Sequence, residues 1–298
     1  MNSRLYATTL GRFWDSRTVP FGVMAAVALA WIIGLHAGPL LQMLNISFMQ
    51  QYPYQGDPQY TIANYEMFFA DSLYWVPFIR SLLVSAVVTL STLVIVYPIA
   101  YYVAKVVRPQ NRVRALLLLL IPFWAGELIR TFSVIMLLAN RGAINVLLRE
   151  FGLIDTPIPM LYTTFSLSFG IVYLLALFML LPLYSAIERI PVNVIDAASD
   201  LGANPLQRFW RVILPLSRDG IVSGCALVYL SAIGAYTAPL LLGGPGATIF
   251  PEVVSALFHT SNESWPAGAA FAVLMLVGSL TTVGIFMRLA GGRAIRMM

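Results

Sequence analysis

Six stretches of this chain are apolar for longer than a soluble core helix requires: 20–42, 77–104, 115–138, 163–187, 220–242 and 267–290. At about 1.5 Å per residue, each crosses roughly 30 Å of hydrocarbon as a helix. Hydrocarbon offers no partner to a free N–H or C=O, so such runs span as helices that satisfy their own backbone. The expected fold class is therefore all-α: a polytopic membrane protein of six transmembrane helices. Only 10% of the residues are charged, against about 25% in an ordinary soluble domain. The first run, from Phe21 to Leu44, outlasts the ~7–15-residue core of a signal peptide. It is read as a retained span.

Charge sets the topology. Fourteen of the 18 Lys and Arg residues fall in 1–19, 105–114, 187–218 and 288–298, whereas 42–76 and 243–266 contain none. Cytoplasmic loops carry the basic excess, so both termini and the 187–218 loop are expected in the cytoplasm. The net charge of +5 then reflects membrane topology, and nucleic acid is not an expected partner. Membrane lipid is. The outer segment 42–76 is crowded with aromatics, among them Tyr52, Tyr54, Tyr60, Tyr65, Phe68 and Trp75 beside Asp57 and Asp71. A packed, interfacial cap is expected there.

The runs contain few groups able to do chemistry. Cys225 is the single cysteine, and His36 and His259 lie far apart in sequence. Neither a disulfide, a metal cluster nor a Ser/His pair within the membrane is indicated. An enzyme is not expected. Glu127 is the one acid deep in a run, and Arg130 stands three residues on. A charge at that depth faces the bundle interior. Two readings stay open: Glu127 pairs with Arg130 or across subunits, or it contacts cargo. The fifth run carries Gly220 and Gly224, which permit close helix approach, and then Ser231, Tyr236 and Thr237 toward its outer half. Those three polar residues and Glu127 form the candidate path. Pro98, Pro122 and Pro182 interrupt runs two to four, as fixed bends or as cavity-lining breaks.

Between the fourth and fifth runs sits "DAASDLGANPLQRFWRVILPL" (196–216). The pattern predicts two short helices. The first runs from Val192 to Leu201 and stops at Gly202, which can take a positive φ. The second begins with a capping box, Asn204-Pro205-Leu206-Gln207. From Leu206 the apolar residues Leu206, Phe209, Trp210 and Ile213 fall on one face of a regular helix. Pro215 then ends the segment. A helix lying in the membrane surface and a rigid elbow docking into a partner's groove account for it equally well.

The spacing Asp196-Ala197-Ala198, three residues, Gly202, nine residues, Val212, one residue, Leu214-Pro215 resembles the cytoplasmic "EAA" loop of ABC importer permeases. Asp replaces Glu at 196 and Val replaces Ile at 212. The stretches "NYEMFF" (64–69), "IPFWAGELIR" (121–130), "GLIDTPI" (152–158), "LPLYSAIERIP" (181–191), "APLLLGGPG" (238–246) and "WPAGAA" (265–270) resemble the spermidine/putrescine branch of that family.

This resemblance implies one permease domain over 1–298, with an importer-type core at about 60–290 and a coupling loop at 187–218. Asp196, Ala197, Ala198, Gly202, Leu214 and Pro215 would carry the coupling. It also implies a second, often non-identical permease subunit, two ATPase subunits and a periplasmic solute-binding protein. Transport would proceed by alternating access in a bacterial inner membrane. The chain lacks a G-x-x-x-x-G-K-[ST] phosphate loop, so no cofactor is expected in it. ATP and Mg would be bound by the ATPase partner. The implied cargo is a polyamine. Some relatives carry acids in the stretch matching "GAYTAPLLLGG"; here Ala235 and Leu240 stand there, which leaves amino-acid-derived compounds open. A secondary transporter or channel subunit is the competing class, distinguished by transport that ignores ATP.

Overall fold

The computed structural model describes residues 18–52 and 59–291. The expectations placed on the basic residues of 1–17, on Tyr54 and Asp57, and on both termini, lie outside the described residues. Five helical stretches are long and apolar enough to cross a membrane: Gly22–Ser47, Ser72–Val106, Glu127–Glu150, Thr164–Glu188 and Trp265–Arg288. A sixth forms if Pro205–Leu216 and Arg218–Ile233, bent by 67°, count as one span. The chain divides into two compact units, residues up to 67 with 257–273, and 68–256 with those from 274 onward.

In the first unit, α1 (Thr18–Ile32) runs through a π turn into α2 (Gly38–Ser47). Apolar side chains point outward all round it, Trp31 and Met24 among them. That suits a helix surrounded by lipid. Polar side chains then clasp the loop that follows. Asn64, on α3 (Ala63–Ala70), donates to the Ser47 and Met49 carbonyls at 3.0 and 2.9 Å. Tyr52 stacks on Trp265 with ring centroids 5.6 Å apart.

The second unit is built on three long helices: α4 (Ser72–Tyr101, extended by a π turn to Val106), α8 (Thr164–Glu188) and α12 (Arg218–Ile233). Between α4 and α8 come α5 (Pro109–Leu120), α6 (Glu127–Leu138) and α7 (Ala143–Glu150). The elbow then comprises α9 (Val192–Asp200), α10 (Pro205–Arg208), a π turn (Phe209–Ile213) and α11 (Leu214–Leu216). After α12 follow α13 (Thr237–Leu242), α14 (Phe250–Thr260) and α15 (Trp265–Gly291).

The pattern on α4 is inverted relative to a soluble helix. Leu83, Val87, Leu90 and Val94 are exposed, while Ser81, Ser85, Thr89 and Thr92 are buried. Outside is hydrocarbon, so apolar groups face it at no cost. Inside, short side chains let neighbouring helices approach. The two threonine hydroxyls are satisfied on their own helix: Thr89 donates to the Ser85 carbonyl and Thr92 to the Val88 carbonyl, both at 2.7 Å. Arg80 reaches the Thr248 carbonyl at 3.2 Å, and Ser81 accepts from the Phe250 N–H at 2.7 Å.

Glycine sets the α8–α12 contact. A Cβ at Gly220 would lie 2.5 Å from Ala186 Cβ and 2.6 Å from the Pro182 carbonyl oxygen; at Gly224 it would lie 2.7 Å from Met179 Sδ.

Two predicted spans are not continuous. The third run, expected as one helix over 115–138, breaks at a 3₁₀ turn, Ile121–Trp124, and restarts at Glu127. Pro122 has no N–H and crowds the preceding turn, which stops the α ladder there. The fifth run, expected over 220–242, stops at Gly234 and restarts as α13. In an unbroken helix Pro239 would collide with the Ala235 carbonyl one turn back. Pro98 and Pro182, by contrast, lie inside helices that continue past them.

Gly220→Ala is expected to destabilise the chain by about 1–3 kcal/mol through overpacking against backbone. Gly284→Ala, with nothing within 4 Å of the added carbon, serves as the control. Thermal unfolding in detergent, followed by circular dichroism, should lower the midpoint for the first and not the second.

Candidate functional site

The loop 187–218 forms a two-helix elbow whose corner is made by local chemistry. α9 ends in a Schellman closure: the Ala203 N–H bonds the Ala198 carbonyl at 3.0 Å and the Gly202 N–H bonds the Ser199 carbonyl at 2.9 Å. This geometry requires a residue at positive φ, and Gly202 has φ of 82°. The spacing from Ala197 and Ala198 to Gly202 is thus the spacing of a helix end. The capping box follows as expected. Asn204 Oδ1 accepts from the Gln207 N–H at 2.8 Å, and Gln207 Oε1 accepts from the Asn204 N–H at 3.0 Å. A bond absent from the sequence expectation ties the two helices together: Arg208 donates to Ser199 Oγ at 2.7 Å.

Asp196 and Ala197 are exposed on α9, Ala198 is half-buried, and Gly202 sits at the exposed corner. Leu214 is half-buried and Pro215 exposed at the far end of the elbow. Two details differ from the sequence expectation. Leu206, Phe209, Trp210 and Ile213 do not share a face. The π turn shifts the register, so Ile213 is buried and Phe209 half-buried, while Leu206 and Trp210 stay exposed. Nor does Pro215 end the segment; helix continues to Leu216 and the chain bends at Ser217. Both have one cause. Pro215 has no N–H and would crowd the Arg211 carbonyl in a regular helix, and a widened turn accommodates it. The elbow therefore presents an apolar tip. Leu201 is 89% exposed and Leu206 66%.

The other candidate residues converge elsewhere. Glu127, Ser231, Tyr236 and Thr237 line one cavity of about 460 Å³. They come from both broken runs: Glu127 opens α6, Ser231 lies near the end of α12, and Tyr236 and Thr237 open α13. Backbone leaves the helical ladder where it borders this cavity; at membrane depth irregular backbone is tolerated only inside protein or along a cavity. Glu127 opens a helix, whose first N–H groups have no acceptor within the helix itself.

Arg130 also lines the cavity. Its sequence neighbour Glu127 is not its partner: among the described residues the ion pair formed is Arg112–Glu188, at 3.6 Å. Instead the Arg130 guanidinium lies 4.7 Å from the centroid of Phe123 and donates to the Leu174 carbonyl at 3.2 Å. The Glu127 carboxylate is exposed and faces the cavity without an ion pair. Phe123 was missed by sequence reasoning. Its signal is an aromatic beside Pro122, at the break itself.

The family described as "Binding-protein-dependent transport system inner membrane component" matches residues 16–296. The chain is 37% identical to the spermidine/putrescine transport system permease protein PotB of Haemophilus influenzae, over 89% of this chain and 92% of that one. It is 35% identical to PotB of Escherichia coli, over 92% and 98%. Its fold is similar to a bacterial ABC transporter chain involved in import of the acidic polysaccharide alginate, at TM-score 0.74 and 16% identity, covering 99% of this chain and 100% of that one. Together with the apolar spans and the elbow, these matches identify the chain as a member of the binding-protein-dependent transport inner-membrane component family, a multi-pass inner-membrane permease of ABC importers.

Proposed function

We propose that this chain is half of the translocation pore of an ATP-driven uptake system and carries a polyamine by alternating access. The observation that carries this reading is the elbow: a capped, cross-braced corner with an apolar tip. A helix held only by the membrane surface needs no rigid corner; a helix seated in a partner's groove does. In this reading 1–298 is a single permease domain, and both termini and the elbow are cytoplasmic. Asp196, Ala197, Ala198, Gly202, Leu214 and Pro215 shape the contact with an ATPase subunit, which binds ATP and Mg. A second permease subunit completes the pore, and a periplasmic solute-binding protein delivers cargo to the outer segments.

The cargo assignment rests on kinship with the PotB proteins and on the cavity. Glu127 supplies an unpaired carboxylate, and Ser231, Tyr236 and Thr237 supply hydroxyls and an aromatic ring. Carboxylates and rings are what a di- or polyammonium recognises. Arg130 in the same cavity favours a second cargo class, amino-acid-derived compounds, whose carboxylate would answer the guanidinium. Competition of unlabelled putrescine, spermidine and amino acids against labelled spermidine uptake in proteoliposomes of the whole complex separates the two.

Glu127→Gln should weaken cation uptake. A hydrogen bond to a charged group contributes about 1.5 kcal/mol or more, so half-saturation should rise roughly tenfold. An unchanged half-saturation constant removes Glu127 from the path. Leu201→Asp should abolish capture of the ATPase subunit in pull-downs while the chain stays in the membrane. Gly202→Asp forces a side chain into positive φ, at a cost of about 1–3 kcal/mol. It should lower uptake relative to ATP hydrolysis while membrane levels hold.

A further inference from the structure

The elbow must act on the spans through whatever joins it to them. It joins α12 at Ser217, where the helix axis turns by 67°. Ser217 is fully buried there, and Tyr97, from the inner half of α4, is 6% exposed. Their hydroxyls lie 2.8 Å apart. Ser217 Oγ also donates to the Leu214 carbonyl at 3.1 Å. One proton assignment satisfies both bonds: Tyr97 O–H donates to Ser217 Oγ, and Ser217 O–H donates to Leu214. This hydroxyl relay links α4 to the last turn of the elbow. The Tyr97 ring meets Phe209 of the π turn edge-to-face at 5.5 Å, so α4 grips the elbow at two points on either side of Ile213.

Three residues after the relay, Gly220 is locked against Pro182 and Ala186 of α8. The bend thus has a fixed side, α8, and a gripped side, α4. Breaking the Tyr97–Ser217 bond leaves the buried Tyr97 hydroxyl without its partner, which is costly in an apolar interior, while Ser217 keeps the Leu214 carbonyl. That cost ties α4 to the bend.

Resting on the permease reading above, we propose that Tyr97 and Ser217 are positioning residues that convert elbow displacement into movement of α4. The variants are Tyr97→Phe, which keeps the ring against Phe209, Ser217→Ala, their combination, and Ser217→Thr, which restores a hydroxyl. Each is assembled with its partner subunits in proteoliposomes. ATP hydrolysis and labelled spermidine uptake are measured on the same preparation. Tyr97→Phe and Ser217→Ala should each lower uptake per ATP at least threefold with hydrolysis retained. The double variant should be no worse than either single one, and Ser217→Thr should recover most of the ratio.

A second measurement is independent of cargo. Spin labels at Arg211, on the exposed side of the π turn, and at Val94, on the outward side of α4, report whether elbow and α4 move as a unit. Their separation should be the same in nucleotide-free and ATP–vanadate states of the otherwise native complex. It should shift with nucleotide in Tyr97→Phe. A native uptake-to-ATP ratio in Tyr97→Phe, additive losses in the double variant, or a label separation indifferent to the relay would overturn the proposal. Uptake by the native complex that ignored ATP would overturn the permease reading itself.

Discussion

The approach of α12 to α8 through Gly220 and Gly224 is the contact on which both functional regions depend. Any side chain at Gly220 would strike the Pro182 carbonyl. Because that contact is backbone to backbone, α12 has little freedom to slide. Its 16 residues make a rod of about 24 Å. The elbow hangs from its amino-terminal end, and the cavity opens at its carboxy-terminal end. One helix thus bridges the elbow and the cavity.

A second constraint is the hunger of backbone and polar groups for partners in an apolar medium. Thr89 and Thr92 return their hydroxyls to their own helix, and Arg80 and Arg130 take carbonyls from elsewhere in the unit. Against that background, the carboxylate of Glu127 stands out. Its nearest cation in sequence is held by Phe123 and Leu174 instead. Glu127 itself is exposed and lines the cavity.

The elbow was legible in sequence because its determinants are local. Gly202 supplies a positive φ, and Asn204 and Gln207 cap each other over three residues; no distant contact is needed. The π turn was not legible. It answers to Pro215, and its buried residues are selected by Tyr97, which lies far away in the chain. The hydroxyls and the carboxylate of the cavity were recognisable by type, since Glu127, Ser231, Tyr236 and Thr237 are polar in apolar runs. Their convergence was not, because it depends on two helix breaks whose positions follow from Pro122 and Pro239 acting against neighbouring turns.

By itself the sequence determined the membrane class, the helical composition, the corner of the elbow and the residue types available to a solute, since hydrophobic run length, basic loop bias and capping act over a few residues. Tertiary structure alone decided which side chains share a space. It set Arg130 on Phe123 and Leu174 rather than on Glu127, gathered two broken helices around one cavity, and joined Tyr97 to Ser217 at the bend. Those choices are made by competition among partners brought together by packing, and a polar group in an apolar interior takes whichever partner the neighbouring helices place within reach.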